Sequence, residues 1–158
     1  MDNFSHINKQ NQPKMVNVGD KKITKRKATA RALMYLGSEI ITHFKGDELI
    51  TKKGPVFQTA IIAGIQAVKK TADLIPMCHP LAINGVDIII NILDNEHIEI
   101  LCSVAMEGKT GVEMEALTGV SVAGLTVYDM CKAISQKMVI KDIMLLEKTG
   151  GKSDYKNP

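Results

Sequence analysis

The sequence predicts an α+β fold, a ferredoxin-like antiparallel sheet with helices packed on one face. Strand-like alternating and β-branched runs occur before, between and after two long helical patterns. The predicted element order is β-α-α-β-β-α-β, which becomes the split βαβ pattern once the short first helix is set aside. With 158 residues and 45% hydrophobic content, one domain can bury roughly 70% of its unfolded surface, enough for an ordinary core.

The first half of the chain is predicted to hold one strand and two helices. Residues 23–34 alternate as a strand does, and a short helix is expected from an N-cap at Ser38 to about Phe44. After a Gly-Pro pair, residues 56–74 follow a helical pattern. Small side chains recur on one face of this helix, which can lie close against a sheet: Ala60, Ala63, Gly64 and Ala67.

The second half is predicted to hold a hairpin, a long helix and a final strand. The β-branched runs 83–93 and 97–106 are joined by a short polar turn, which is typical of a hairpin. A helix is expected over 112–137 and a strand over 138–148. Apolar residues step by three and four along one face of that helix: Ala116, Val120, Ala123, Val127, Met130 and Ile134.

The predicted organisation is a flexible lead at 1–14, one ferredoxin-like domain at 15–149 and a flexible tail at 150–158. The polar lead lacks the apolar segment of a secretory signal, so we expect a cytoplasmic protein. No apolar run reaches the ~18 residues of a membrane span. Three cysteines form no CxxC pair, so we expect reduced, buried thiols at these positions: Cys78, Cys102 and Cys131.

The charge pattern favours a small anion over nucleic acid. Twenty Lys and Arg against seventeen Asp and Glu is nearly balanced. The predicted hairpin strands contain no aromatic residue on which bases could stack. Six basic residues nevertheless lie within eleven positions, 21–31, which suits a small polyanion or is a solvated strand face. The segment KTGGKS at 148–153 is not a Walker A motif, because Leu146 stands where a glycine is required.

Acidic residues at both ends of the long helix have two interpretations. Asp129 and Lys132 are three residues apart, so they form either a surface ion pair or part of a site. Glu113 and Glu115 either stabilise the helix N-terminus, by ~0.3–1 kcal/mol each, or bind a ligand. Fourteen residues separate Glu115 from Asp129, about 21 Å along a helix. One site can use both ends only with a large substrate or a second subunit.

The segment LIPMCHPL, residues 74–81, holds three further candidates between two prolines: Met77, Cys78 and His79. Residues before proline are forced into extended conformations, which splays neighbouring side chains apart. The segment therefore presents a fixed recognition edge or simply fills the core. It is a poor metal site, since no second pair of ligands occurs at suitable spacing.

Three segments carry a resemblance to a known family: AIIAGIQAVKKTADLIPMCHPL, KTGVEMEALTGVSVAGLTVYDMCKA and LLEKTGGKS. They closely resemble the molybdenum-cofactor biosynthesis protein C family, the cyclic pyranopterin monophosphate synthases, from about Met15 to Ser153. The resemblance implies a phosphorus–oxygen lyase that rearranges 3',8-cyclised dihydro-GTP to cyclic pyranopterin monophosphate and releases pyrophosphate. It also implies a homo-hexamer, a trimer of dimers with active sites at subunit interfaces. It leaves open whether Mg2+ accompanies the triphosphate; no metal ligands are predicted.

The resemblance assigns roles to individual residues of this sequence. Asp129 matches a catalytic acid/base, and Lys132 and Lys53 match catalytic lysines. Eight positions match substrate-binding residues: Met77, Cys78, His79, Glu113, Met114, Glu115, Arg26 and Lys148. We expect cations to bind the pyrophosphate leaving group and a glutamate to bind the guanidine-like edge of the base. The alternative is a non-catalytic nucleotide-binding module on the same fold, which needs cations but no acid–base pair.

Overall fold

The structure is a computed structural model that describes residues 8, 10 and 12–158. Its helices and strands are, in chain order, β1 (Thr24–Tyr35), α1 (Ser38–Ile41), β2 (Ile50–Thr51), β3 (Gly54–Pro55), α2 (Val56–Lys69), α3 (Thr71–Leu74), β4 (Gly85–Ile92), β5 (His97–Gly108), α4 (Glu113–Cys131), β6 (Val139–Thr149) and β7 (Tyr155–Lys156).

Five strands form one antiparallel sheet in the order β4-β5-β1-β6-β7. Strand β5 lies between β1 and β4, so the βαβ unit made by β1, α2 and β4 is split by an intervening strand. The two remaining short strands, β2 and β3, form a separate hairpin ahead of α2. This topology confirms the predicted ferredoxin-like fold class.

The core lies between one face of the sheet and the helices α2 and α4. Alternate side chains of β1 are fully buried on that face: Ala28, Ala30, Ala32 and Met34. Matching residues of β5 are buried beside them: Ile98, Ile100, Cys102 and Val104. The alanines of β1 are short, so α4 can pack directly over the central strand through its own small residues.

The small-residue face of α2 contacts α4 as well as the sheet. A Cβ added at Gly64 would stand 2.5 Å from Ile88 Cδ1 of β4 and 3.0 Å from the Gly119 carbonyl oxygen of α4. The expectation that this face lies against a sheet was therefore incomplete. The two helices pack at close range because each places a glycine at their contact.

The first helix begins differently from the prediction. Gly37, not Ser38, is the N-cap residue of α1, and no side chain caps the helix. The Gly37 backbone has a φ of 83°, a conformation that glycine adopts without steric cost. This bend lets the N–H groups of Leu36 and Gly37 both donate to the Glu96 carbonyl in the β4–β5 turn. The N-cap prediction at Ser38 was wrong because this tertiary contact sets the helix start.

The two long helices are shorter than predicted. The helix expected over 56–74 is interrupted at Lys70, where the Thr71 hydroxyl donates to the carbonyls of Ala67 and Val68 at 3.2 and 3.0 Å. Helix α4 ends at Cys131 rather than 137, because a tight turn there leads the chain into β6. Ile134, expected on the buried helix face, consequently lies outside the helix and is 41% exposed.

The two predicted terminal segments differ in how much of them the structure describes. The predicted lead at 1–14 lies largely outside the described residues. Within the predicted tail, β7 pairs with β6 at the edge of the sheet.

All three cysteines are free thiols: Cys102 and Cys131 are buried, whereas Cys78 is half-buried. None of the helices in the described part of the chain combines the length and apolar character needed to span a bilayer. The cytoplasmic location stays a prediction.

Candidate active site

An acidic side chain at the C-terminal end of α4 holds two lysines. Asp129 Oδ2 lies 2.6 Å from Lys53 Nζ, and Asp129 Oδ1 lies 2.7 Å from Lys132 Nζ. Lys53 Nζ also donates to the Asp129 carbonyl oxygen at 3.0 Å. All three side chains are about half exposed, so the cluster is open to a ligand. The structure thus brings together the three residues predicted to be catalytic.

The paired charges shift the titration of this cluster. Hydrogen bonds from Lys132 and Lys53 lower the pKa of Asp129 to about 2. The hydrogen bond to Asp129 in turn raises the pKa of Lys132. At neutral pH the cluster therefore contains a carboxylate held by a protonated lysine. In this state Asp129 is too weak a base to accept a proton readily, and Lys132 is a weaker acid than an unpaired lysine.

A hairpin delivers Lys53 to this position. Lys53 stands between β2 and β3, and its backbone N–H donates to the Thr51 hydroxyl at 3.1 Å. That hydroxyl donates to the Gly54 carbonyl at 3.2 Å, which closes the turn. Gly54 has a φ of 111°, outside the range that residues with a side chain readily adopt. The tight turn fixes the backbone from which the lysine side chain extends to α4.

A second group of predicted residues lies at the N-terminal end of α4. Glu113 accepts an ion-pair contact from Lys148 of β6, with Oε1 and Nζ 2.9 Å apart. Met114, between the two glutamates, is 38% exposed and presents apolar surface. Glu115 is only 4% exposed, and this burial raises its pKa. The helix start therefore offers an ion-paired carboxylate, an apolar surface and a buried carboxyl group with a raised pKa.

The proline-bracketed loop borders the same space. Met77, Cys78 and His79 line a cavity of about 430 Å³ together with Glu113 and Glu115. Burial raises the pKa of the Cys78 thiol, with a smaller effect from the Glu115 carboxylate, so at neutral pH Cys78 is a thiol. The cavity is large enough for a purine- or pterin-sized group.

His79 is held by the N-terminal segment of the chain. Its Nε2 atom lies 2.8 Å from the Val16 carbonyl oxygen. Val16 and Val18 also line the cavity, so this segment forms one of its walls. The contact fixes the orientation of the imidazole ring at the edge of the cavity.

A second cavity of about 490 Å³ adjoins the first and is strongly basic. The two share Lys21, Glu113 and Lys148 in their linings, and we call the continuous space the basic recess. Arg26 lines it and donates from Nε to the Gly108 carbonyl at 3.3 Å. Further lysines face the second cavity: Lys22, Lys27, Lys109 and Lys152. Such a concentration of cations suits a polyphosphate.

The sequence did not single out five of these lysines as site residues: Lys21, Lys22, Lys27, Lys109 and Lys152. Lys21 belongs to the basic run at 21–31, which already indicated a small polyanion. Lys109 gave no such signal; its Nζ donates to the Gly19 carbonyl and so ties the N-terminal segment to the recess. Only the folded chain places it there, because Gly19 and Lys109 are 90 residues apart.

The two groups of residues lie at opposite ends of α4 and do not meet within one chain. Fourteen residues of helix separate Glu115 from Asp129, about 21 Å. Within residues 8, 10 and 12–158, no three His, Cys, Asp or Glu side chains are grouped so as to hold a metal ion. One chain thus contains two separate groups. One is formed by Asp129, Lys53 and Lys132, which we call the acid–base cluster, and the other is the basic recess.

Comparison with known proteins identifies the family. A model described as "MoaC family" matches residues 15–151, which include every predicted site residue and most of the chain. The chain belongs to the MoaC family. The resemblance inferred from the sequence is therefore confirmed, while the roles of individual residues stay predictions.

Relatives of this MoaC chain extend over nearly its whole length. It is 51% identical to a cyclic pyranopterin monophosphate synthase of Peptoclostridium acidaminophilum, covering 96% of each protein. It is 52% identical to a molybdenum cofactor biosynthesis bifunctional protein of Synechocystis sp. and 46% identical to molybdenum cofactor biosynthesis protein 1 of Dictyostelium discoideum. The chain spans 45% and 26% of the lengths of these last two relatives.

Proposed function

We propose that this chain is an enzyme of molybdenum cofactor biosynthesis with cyclic pyranopterin monophosphate synthase activity. The observation that carries the proposal is the contact of Asp129 with both Lys53 and Lys132 in a member of the MoaC family. A nucleotide-binding module needs cations to bind phosphate, but it has no use for a carboxylate that neutralises two of them. An acid–base function explains the cluster.

The substrate that we propose is 3',8-cyclised dihydro-GTP. In the phosphate-closing step, a ribose-derived hydroxyl oxygen bonds to the α-phosphorus, and the bond from phosphorus to the pyrophosphate oxygen breaks. The electron pair leaves with pyrophosphate, and a base takes the hydroxyl proton. Arg26, Lys21 and Lys148 are placed to neutralise the leaving group in the basic recess.

The purine-derived ring system has a binding surface in the first cavity. Glu115 is buried there and Glu113 is held by Lys148, so both carboxyl groups have fixed positions. Their oxygens can accept hydrogen bonds from the guanidine-like edge of the base. Met77 and Met114 supply apolar contacts beside them.

The acid–base cluster changes its protonation behaviour when substrate arrives. Without substrate, two ammonium groups hold Asp129 as a weak base. A triphosphate competes for these cations, and a lysine drawn towards phosphate no longer lowers the pKa of Asp129. The carboxylate then becomes basic enough to accept a proton during ring opening and closure.

The enzyme acts as a homo-hexamer, a trimer of dimers, in which one chain supplies the acid–base cluster and a neighbour the basic recess. The 21 Å between the ends of α4 supports this arrangement. The open face of the sheet also supports assembly: there, within the described residues, Arg31 Nε is buried without an acceptor. A second chain can supply that acceptor.

The direct test measures pyrophosphate release from the cyclised dihydro-GTP and follows the oxidised pterin product by fluorescence. Asp129→Asn and Lys132→Met keep the side-chain shape but remove the charge. Each should lower kcat by about 10²–10⁴-fold, the range of general acid–base catalysis. Exposed Asp47→Asn is the matched control and should retain activity. A folded parent without turnover would contradict the proposal.

Mixing two inactive variants tests the shared site. Asp129→Asn chains carry an intact recess, and Glu115→Gln chains carry an intact acid–base cluster. After unfolding and refolding an equal mixture, about a quarter of interface sites combine two intact halves, so activity should return. Sedimentation should give a mass six times that of the 17.3 kDa chain. A mixture as inactive as its components would refute the interface site.

A further inference from the structure

We propose that Glu48 is a positioning residue that holds the Lys53 hairpin in place for catalysis. The inference rests on the proposed function, in which Lys53 belongs to the acid–base cluster. Glu48 lies before β2. Within residues 8, 10 and 12–158, it neither contacts Asp129 nor lines the basic recess. Its effect on the cluster must therefore pass through the backbone it binds.

The Glu48 carboxylate accepts three backbone hydrogen bonds. Its Oε1 atom accepts from the N–H groups of Leu49 and Phe57, both at 2.9 Å. Its Oε2 atom accepts from the N–H group of Gln58 at 3.1 Å. This arrangement satisfies both carboxylate oxygens with backbone N–H groups, one just before β2 and two in the first turn of α2.

Two of these donors belong to the first turn of α2. Phe57 and Gln58 are its second and third residues, whose N–H groups have no partner within the helix. The side chain of the N-cap residue normally accepts these bonds, but here the N-cap residue is Pro55, which has no acceptor in its side chain. Glu48 takes over the capping role from seven positions earlier in the chain, and its negative charge suits the helix N-terminus.

The same residue ties down the start of the hairpin. The Lys45 N–H donates to the Glu48 carbonyl at 3.0 Å, and the Val56 N–H donates to the Leu49 carbonyl at 2.9 Å. Glu48 thus joins the strand that enters the hairpin to the helix that follows it. The tip that carries Lys53 lies between these two anchored points.

Anchoring matters because a lysine side chain is long and flexible. The Lys53 ammonium stays 2.6 Å from Asp129 only if its backbone keeps a fixed distance from α4. Without the Glu48 carboxylate, three backbone donors lose their acceptor and the hairpin is no longer tied to α2. A shift of about 1 Å in a catalytic group can lower a rate by roughly 10²-fold.

A double-mutant cycle on kcat separates positioning from a general structural role. Glu48→Ala should lower kcat by roughly 10- to 100-fold in the parent. In a Lys53→Ala background, the same change should lower kcat by less than about twofold, because the residue being positioned is gone. Asp47→Asn, an exposed neighbour in the same segment, is the control and should leave both backgrounds unchanged.

The carboxyl titration of Asp129, followed by carbon-13 NMR, tests the same idea without turnover. Removing Lys53 should raise the pKa of Asp129, since one of its two ammonium partners is lost. Glu48→Ala should raise that pKa in the same way, and Asp47→Asn should not. Glu48→Gln keeps one acceptor oxygen and should give a smaller rise, so it serves if Glu48→Ala does not fold.

The outcomes divide cleanly. Losses in kcat that multiply in the double variant, or an unchanged Asp129 titration in the folded Glu48 variants, would overturn the positioning role. If the parent showed no turnover, only the proposed function would be refuted. The Asp129 titration would still decide whether Glu48 positions Lys53.

Discussion

Helix α4 lies closest to its neighbours at Gly119, and an alanine there is a sharp test of the packing. A Cβ at Gly119 would stand 2.6 Å from Cys102 Sγ and 2.9 Å from Val68 Cγ2. Cys102 is fully buried and Val68 is 1% exposed, so neither side chain can move into solvent. Gly119→Ala must therefore push α4 away from β5 and α2.

A second glycine of the same helix provides the control. The atoms nearest to a Cβ at Gly124 all belong to the partly buried Ile140 side chain, at 3.3 to 3.6 Å, where a small shift of that side chain suffices. Both substitutions gain about 1 kcal/mol of helix propensity. Only Gly119→Ala adds overpacking, which typically costs about 1–3 kcal/mol. Because the propensity gain cancels, the two variants should differ in free energy of unfolding by about 1–3 kcal/mol, with Gly119→Ala the less stable.

Urea unfolding followed by far-UV circular dichroism measures this difference, with all proteins at one concentration so that any association of chains contributes equally. Turnover provides a second readout. Displacing α4 moves Asp129 relative to Lys53, so Gly119→Ala should also lower kcat, whereas Gly124→Ala should not. Equal free energies of unfolding, or a more stable Gly119→Ala, would refute the packing argument.

Titratable side chains give three further expectations. Burial raises the pKa of Glu115, so the stability that its neutral form contributes is present at low pH and is lost as pH rises. Glu115→Gln should therefore resist urea better than the parent at pH 8 and as well as the parent below about pH 4. Asp129 has the opposite sign: its pKa is lowered to about 2 from 3.8, so Asp129→Asn should lower the urea midpoint at pH 5, and this effect should shrink as pH falls through about 2. A thiol reagent should modify Cys78 alone in the folded protein, because burial raises the pKa of Cys102 to about 12 and of Cys131 to about 11.

Each of these expectations has a clear contrary result. A Glu115→Gln gain that is equal at both pH values would mean that burial of charge is not its cause. If Asp129→Asn changed the urea midpoint by the same amount at every pH, the ion pairs of Asp129 would not be the cause. A second reactive thiol before unfolding would mean that the core around the buried cysteines opens.

The sequence alone predicted the sheet, its two covering helices and the family. Alternation over 23–34 was enough to predict β1, since the period of a strand is fixed by backbone geometry. Two long segments with unusual residues in fixed order, together with a shorter third one, identified the family. The helix ends were less accurate: the break at Lys70 depends on a hydroxyl, and the start of α1 on a contact with Glu96.

The tertiary structure decided which of these residues meet. Lys53 and Asp129 are 76 residues apart, and only the packing of α2 on α4 through paired glycines brings their side chains to 2.6 Å. In the sequence nothing distinguishes Glu48 from the other acidic residues. In the fold it supplies the helix cap that the Pro55 side chain cannot supply. Periodicity determines which face of an element is buried because it reflects local geometry. Contacts between distant residues depend on how the chain is connected and packed, which no local pattern contains.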